Sequence, residues 1–153
     1  MEIDDEIATF LRPGPFSVVI ATRDAERAPD VVRGWAPRIN ADCGAIDVFV
    51  GREPARRLIE NVNDNGAMAL AVCNVNTFQA LQLKGMCTEI GEARPEDSQR
   101  VRDHVDQFAV SVAQIGFSEQ AMRAVGVSDV IRLRFVPDFL FDQTPGPEAG
   151  KAR

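Results

Sequence analysis

Three runs rich in β-branched and aromatic residues, Phe16 to Thr22, Val31 to Ile39 and Ala45 to Val50, follow one another with only short polar segments between them. That spacing constrains the fold more than any other feature of the chain. A parallel strand pair needs a crossover of about a dozen residues or more, and the segments Arg23 to Pro29 and Asn40 to Gly44 are too short to supply one. The three strands therefore run antiparallel, joined by turns in which Asn40, Asp42 and Gly44 supply turn-forming chemistry. A doubly wound parallel fold is excluded on the same ground. The chain also lacks both a G-x-G-x-x-G run and a Walker A run.

Beyond the meander, Ile3 to Leu11 carries a helical stripe that ends at Pro13-Gly14-Pro15. Glu53-Pro54 is expected to open a second helix through Arg56, Arg57, Leu58, Ile59 and Val62, stopped by Asn63 to Gly66. Ala67 to Val75 and Leu81 to Ile90 read as strands. Pro95 begins a long helix whose Val101, Val105, Phe108, Val112 and Ile115 share one face, ended by Gly116. A short helix over Ser118 to Val125 and a last strand over Val130 to Phe141 complete the chain, with Lys151 to Arg153 expected to be mobile. The reading is a single mainly β domain over residues 1–153: a six-stranded antiparallel barrel closed by a meander, with peripheral helices.

A formal net charge of -6 leaves no basic excess to neutralise nucleic-acid phosphates. No stretch approaches the roughly 20 apolar residues of a membrane-spanning helix. The acidic start Glu2 to Glu6 is the reverse of a signal peptide, so a cytoplasmic protein is expected. Cys43, Cys73 and Cys87 lack metal-ligand spacing and read as reduced thiols, and the single histidine, His104, reads as a partly exposed helical residue.

Cationic and amide side chains define the candidate site. Arg56 and Arg57 stand at a helix start, where free N–H groups already favour anions; their plainer reading is a solvated face. Gln79, Gln82 and Lys84 lie in one strand segment, suited to an anionic, planar ligand. Arg33 and Arg38 are five residues apart, so strict alternation puts them on opposite faces of their strand. Trp35 between them reads as a core or interface aromatic, or as a stacking partner for the ligand. Asp142, Gln143 and Thr144 cap the last strand, and Pro145 and Pro147 stiffen the tail that follows.

In order and spacing, these segments resemble the FMN-binding split β-barrel family, the pyridoxamine 5'-phosphate oxidase-like proteins. Arg33 and Arg38 stand where the family has an arginine and a lysine five apart in the second barrel strand. Phe49-Val50 stands in place of its aromatic-threonine pair, Arg56-Arg57 in place of its basic pair, and Gln79 in place of its glutamine. The resemblance implies a six-stranded split barrel and a homodimer with FMN at the interface. The basic residues would hold the phosphate, and the strand edges and Gln79 the ring system, with Gln82 and Lys84 as further contacts. It implies a flavin-dependent oxidoreductase acting on a small redox substrate. The alternatives are a deazaflavin enzyme on the same fold or a flavin-binding module without catalysis. Val50 lacks the family hydroxyl. The arginine-leucine-histidine element that helps hold pyridoxal phosphate in the oxidases is absent, so the substrate is not expected to be a B6 vitamer.

Overall fold

A computed structural model describes residues 3–40, 44–125 and 127–153. The elements are α1 (Asp5–Phe10), β1 (Phe16–Arg23), β2 (Pro29–Asn40), β3 (Ala45–Gly51), α2 (Arg56–Asn65), β4 (Ala67–Asn74), β5 (Ala80–Glu92), α3 (Pro95–Ala113), α4 (Glu119–Ala124) and β6 (Val130–Asp142). All six strands pair antiparallel and close into a barrel in the order β1-β2-β3-β6-β5-β4. Closure leaves no sheet edge for another chain to extend. The expected six-stranded barrel with outer helices is the fold observed.

Alternation along the strands divides their side chains between two environments. Val18, Ile20, Val48, Leu70, Leu83 and Leu133 point inward and are fully buried. Each contributes about 1.5–3 kcal/mol relative to an exposed position, which makes the interior the main stabilising element. Helix α2 plugs one end, with Leu58 and Val62 entering the same core and Asn61 donating to the Thr22 hydroxyl at 3.0 Å. Gly66 ends this helix with φ 70, a backbone conformation that glycine adopts without strain. Outside the barrel, α3 buries Val101, Val105, Phe108 and Val112 against Trp35, Phe49 and Val130 in a second core cluster.

Some expectations shift on the structure. Residues 52–55 form turns, so α2 begins at Arg56 rather than at Glu53-Pro54. The C-terminal residues are tied down rather than mobile: Ala152 bridges Phe141, the Arg153 amide donates to Leu140 at 2.9 Å, and Arg153 pairs with Glu6 at 2.8 Å. Cys73 and Cys87 are free thiols, both raised in pKa by burial, while Cys43 lies outside the described residues. Among the described residues no helix is long and apolar enough to cross a membrane.

Gly85 sits at a register shift between β5 and β6. A Cβ there would lie inside contact distance of the Val136 carbonyl oxygen and 2.8 Å from Pro137 Cα, both backbone atoms that have little room to yield. Gly85→Ala is expected to lower the stability by about 2 kcal/mol or more, measured by urea denaturation.

Candidate functional site

The geometry of the site begins with an irregularity in β2. Trp35 pairs with Phe49 and Arg38 with Asp47, so three steps along β2 match two along β3. The extra residue is a β-bulge, and Ala36 within it has φ 47. The bulge changes the phase of the strand, so Arg33, Trp35 and Arg38 all face outward. The opposite-face expectation for Arg33 and Arg38 therefore fails for a local backbone reason.

Outward residues of five strands line up in rows round the open exterior of the barrel. The registers place Arg33, Val19, Ala71, Gln82 and Phe141 in one row across β2, β1, β4, β5 and β6. Val31, Ala21, Ala69, Lys84 and Phe139 form the next. The rows run round the outside of the closed barrel, with small side chains on β1 and β4, and Arg33 on β2 lies three strands from Lys84 on β5 in either direction. On the side formed by β1, β4, β5 and β6 this exterior carries a groove of about 400 Å³ lined by Ala21, Ala69, Lys84, Asp138 and Phe139 among others. Val31 and Phe139 are large apolar residues left 59% and 61% exposed.

The cations of these rows differ from most others in the protein. Arg33 lies over the rings of Trp35 and Phe108, at 5.6 and 5.1 Å, and Lys84 over Phe141 at 4.8 Å. Neither has a carboxylate partner among the described residues. Partial burial lowers the Arg33 pKa, and the guanidinium still stays charged. Gln82 accepts a long hydrogen bond from Gln143 at 3.4 Å.

The remaining sequence-predicted residues are distributed elsewhere. Arg38 is spent on structure, bonding Asp47 at 3.1 Å and Asp97 at 3.2 Å, two carboxylates that are almost wholly buried. Asp47 also takes Arg134 and Arg132. Burial alone would raise its pKa, but hydrogen bonds from Arg134 and Arg38 and the nearby positive charge outweigh this and hold it below the usual value. Trp35 and Phe49 are core residues beneath α3, and Val50 points into the barrel interior. Arg56 and Arg57 are exposed at the start of α2, pairing loosely with Glu53 at 3.6 Å and with Asp24 at 3.3 Å. Gln79 precedes β5 in an exposed turn, so it does not share the aim of Gln82 and Lys84.

A second concavity escaped the sequence reading. A cavity of about 470 Å³ lies between the α1–β1 loop, the β2 bulge and α3, with Leu11, Phe16 and Pro37 on its apolar side and Arg12, Arg100, Glu96, Asp103 and Gln107 on its polar side. Arg100 Nε is buried without a hydrogen-bond partner among the described residues, a costly condition for a charged group. Only its position on the helix face beside His104 could have signalled it. His104 itself is 6% exposed, not partly exposed as expected. Its Nδ1 accepts the Ala36 N–H at 2.6 Å, which places the ring proton on Nε2, donated to the Phe16 carbonyl at 3.0 Å. Burial is the main reason its pKa falls to about 4, with the Arg33 charge adding to it.

No protein-family profile matches the sequence, and no curated protein matches it. Solved structures do match the fold. HupZ of Group A Streptococcus aligns with TM-score 0.55 at 18% identity, covering 97% of this chain and 99% of that one. A candidate pyridoxamine 5'-phosphate oxidase of Lactobacillus delbrueckii aligns with TM-score 0.55 at 14% identity, covering 92% and 93%. This is the pyridoxamine 5'-phosphate oxidase-like split-barrel fold. An F420 reductase has the same split barrel, with TM-score 0.51 at 15% identity over 86% of this chain and 93% of that one.

Two outcomes follow from the charges. Arg38→Ala is expected to cost about 3 kcal/mol of stability, because it strips a partner from two buried carboxylates, and calorimetry checks this. His104 is held neutral: its folded pKa of about 4 lies below the usual 6.5. As pH falls through 6.5 the unfolded chain takes up the proton first. Stability should therefore drop by about 3 kcal/mol between pH 6.5 and 4, a slope that His104→Asn removes in denaturant titrations.

Proposed function

We propose that this protein binds FMN on the open exterior of the barrel at a homodimer interface, and that it is an oxidoreductase acting on a small anionic substrate. The observation that carries the reading is the pair of cations on the barrel exterior that have no carboxylate partner among the described residues, Arg33 on β2 and Lys84 beside the groove over Ala21 and Ala69. In a protein of net charge -6, cations held free of carboxylates at a concave apolar face favour an anionic ligand with a flat, apolar body. A phosphate-bearing isoalloxazine has that chemistry. The two split barrels described as a pyridoxamine 5'-phosphate oxidase and an F420 reductase support the same class of cofactor.

The residues present fit the group. Small residues of β1 and β4 leave room for a ring system, Gln82 and Lys84 would meet its polar edge, and Arg33 and Arg57, contributed across the dimer interface, would take the phosphate. Arg38, Trp35, Phe49 and Val50 would act indirectly, by shaping the wall behind Arg33, and Gln79 and Arg56 from the rim. Bound flavin supplies two-electron redox chemistry, while the protein contributes binding, orientation and exclusion of water. A second copy covering Val31 and Phe139 would exclude that water. Arg100 and Arg12 would hold the anionic group of a substrate whose apolar part rests on Leu11, Phe16 and Pro37.

A second reading replaces FMN by a deazaflavin, favoured by the likeness to the F420 reductase, and a third keeps the flavin without catalysis. Reduction of the bound cofactor by a nicotinamide nucleotide would argue against the third.

Titrating FMN into the protein should quench its fluorescence and perturb its visible bands, and the protein should sediment as a dimer. Arg33→Ala is expected to weaken FMN about tenfold, the scale of one lost charge-assisted hydrogen bond, with little change in melting temperature. An FMN spectrum indifferent to the protein, or an Arg33→Ala variant that binds as tightly as the parent, would overturn the assignment.

A further inference from the structure

We infer that His104 is a positioning residue: by clipping the Ala36 bulge to the start of β1, it sets the phase of β2 and so aims Arg33 onto the open exterior of the barrel. The link to ligand binding rests on the reading of Arg33 given above; the link to the bulge does not.

Arg38 fixes one end of the problem, because Asp47 and Asp97 hold it outward. Counting back from Arg38 along an unbroken strand would turn Ala36 and Gly34 outward and Trp35 and Arg33 inward. The interior has no room for that. Even a Cβ at Gly34 would stand 2.9 Å from side-chain atoms of Ile20 and Val18. One extra residue restores the alternation, leaving Gly34 inside and Arg33 outside.

That extra residue is strained. Ala36 has φ 47, which costs a non-glycine residue roughly 1–2 kcal/mol. Its N–H is taken by His104 Nδ1 at 2.6 Å, while His104 Nε2 holds the Phe16 carbonyl at 3.0 Å. One neutral imidazole thus bridges two strands and satisfies a buried donor and a buried acceptor. Trp35 packs edge-on against the ring at 5.7 Å. A lone histidine lining a cavity invites assignment as an acid or base, but both of its nitrogens are already engaged with backbone groups.

Trp35 is the only tryptophan and adjoins the bulge, so its emission reports on the clip. In His104→Ala the emission should shift to the red and FMN affinity should fall about tenfold, the effect of mis-aimed Arg33. Adding Ala36→Gly should recover most of that affinity, since glycine adopts the bulge conformation without the histidine. Val48→Ala, a barrel-interior variant, should lower the melting temperature while leaving FMN affinity unchanged. Should His104→Ala fail to fold, His104→Asn carries the same test, because its amide offers one acceptor and one donor and should keep native emission and affinity. Parental emission in His104→Ala, an affinity loss that Ala36→Gly does not repair, or native emission with lost affinity in His104→Asn would each overturn the inference. If the parent protein itself binds no FMN, the flavin reading fails, and Trp35 emission alone decides the role of His104: an unmoved spectrum overturns it.

Discussion

The hydrogen bond from the Ala36 amide to His104 is the contact on which the arrangement outside the barrel depends. Barrel closure needs strands that alternate between core and surface, and β2 has to satisfy that alternation against two constraints. At one end Arg38 is locked to buried carboxylates, and at the other Gly34 fills a place where no side chain fits. A single inserted residue reconciles them, and α3 supplies the histidine that keeps it in place. The same helix covers Trp35 and Phe49, so one element completes the outer core and fixes the bulge beside the cavity.

Charge is partitioned between structure and binding. Arg38, Arg132 and Arg134 surround Asp47, and Glu89 pairs with the latter two. This group joins β2, β3, β5, β6 and the start of α3, and it is close to self-neutral. Cations tied up this way have little left to give a ligand, since moving one would leave a carboxylate buried and unpaired. Arg33, Lys84 and Arg100 are different. Arg33 and Lys84 rest on aromatic rings, where a bound anion would not compete with an internal partner, and Arg100 faces a cavity that Glu96 and Asp103 also line.

Much of the fold was legible in the sequence because antiparallel strands joined by short turns admit few topologies. The strand positions, the plug helix and the long outer helix follow from hydrophobic period and turn residues. What did not follow was local phase. Pro37 in the middle of a strand was the available sign of a bulge, because proline cannot donate to a sheet ladder. Without that sign, strict alternation puts Arg33 and Arg38 on opposite faces. Gln79 stands just before the strand that begins at Ala80 and at an odd position, whereas Gln82 and Lys84 share the even-numbered face, so its aim differs from theirs. Asp47 in an otherwise apolar run is the sequence sign of a buried acid that needs arginines across the strands, here Arg38, Arg132 and Arg134. The family-like spacing of Arg38, Phe49 and Val50 survives as spacing, yet these side chains face an ion-pair network, a second core and the barrel interior.

Amide chemical-shift mapping during an FMN titration tests the central claim most directly. The account predicts shifts that concentrate on Val19, Ala21, Ala69, Ala71, Gln82 and Lys84, with Arg33 at their margin and the barrel-interior residues unmoved. Shifts confined to other faces of the barrel, or none at saturating FMN, would contradict it.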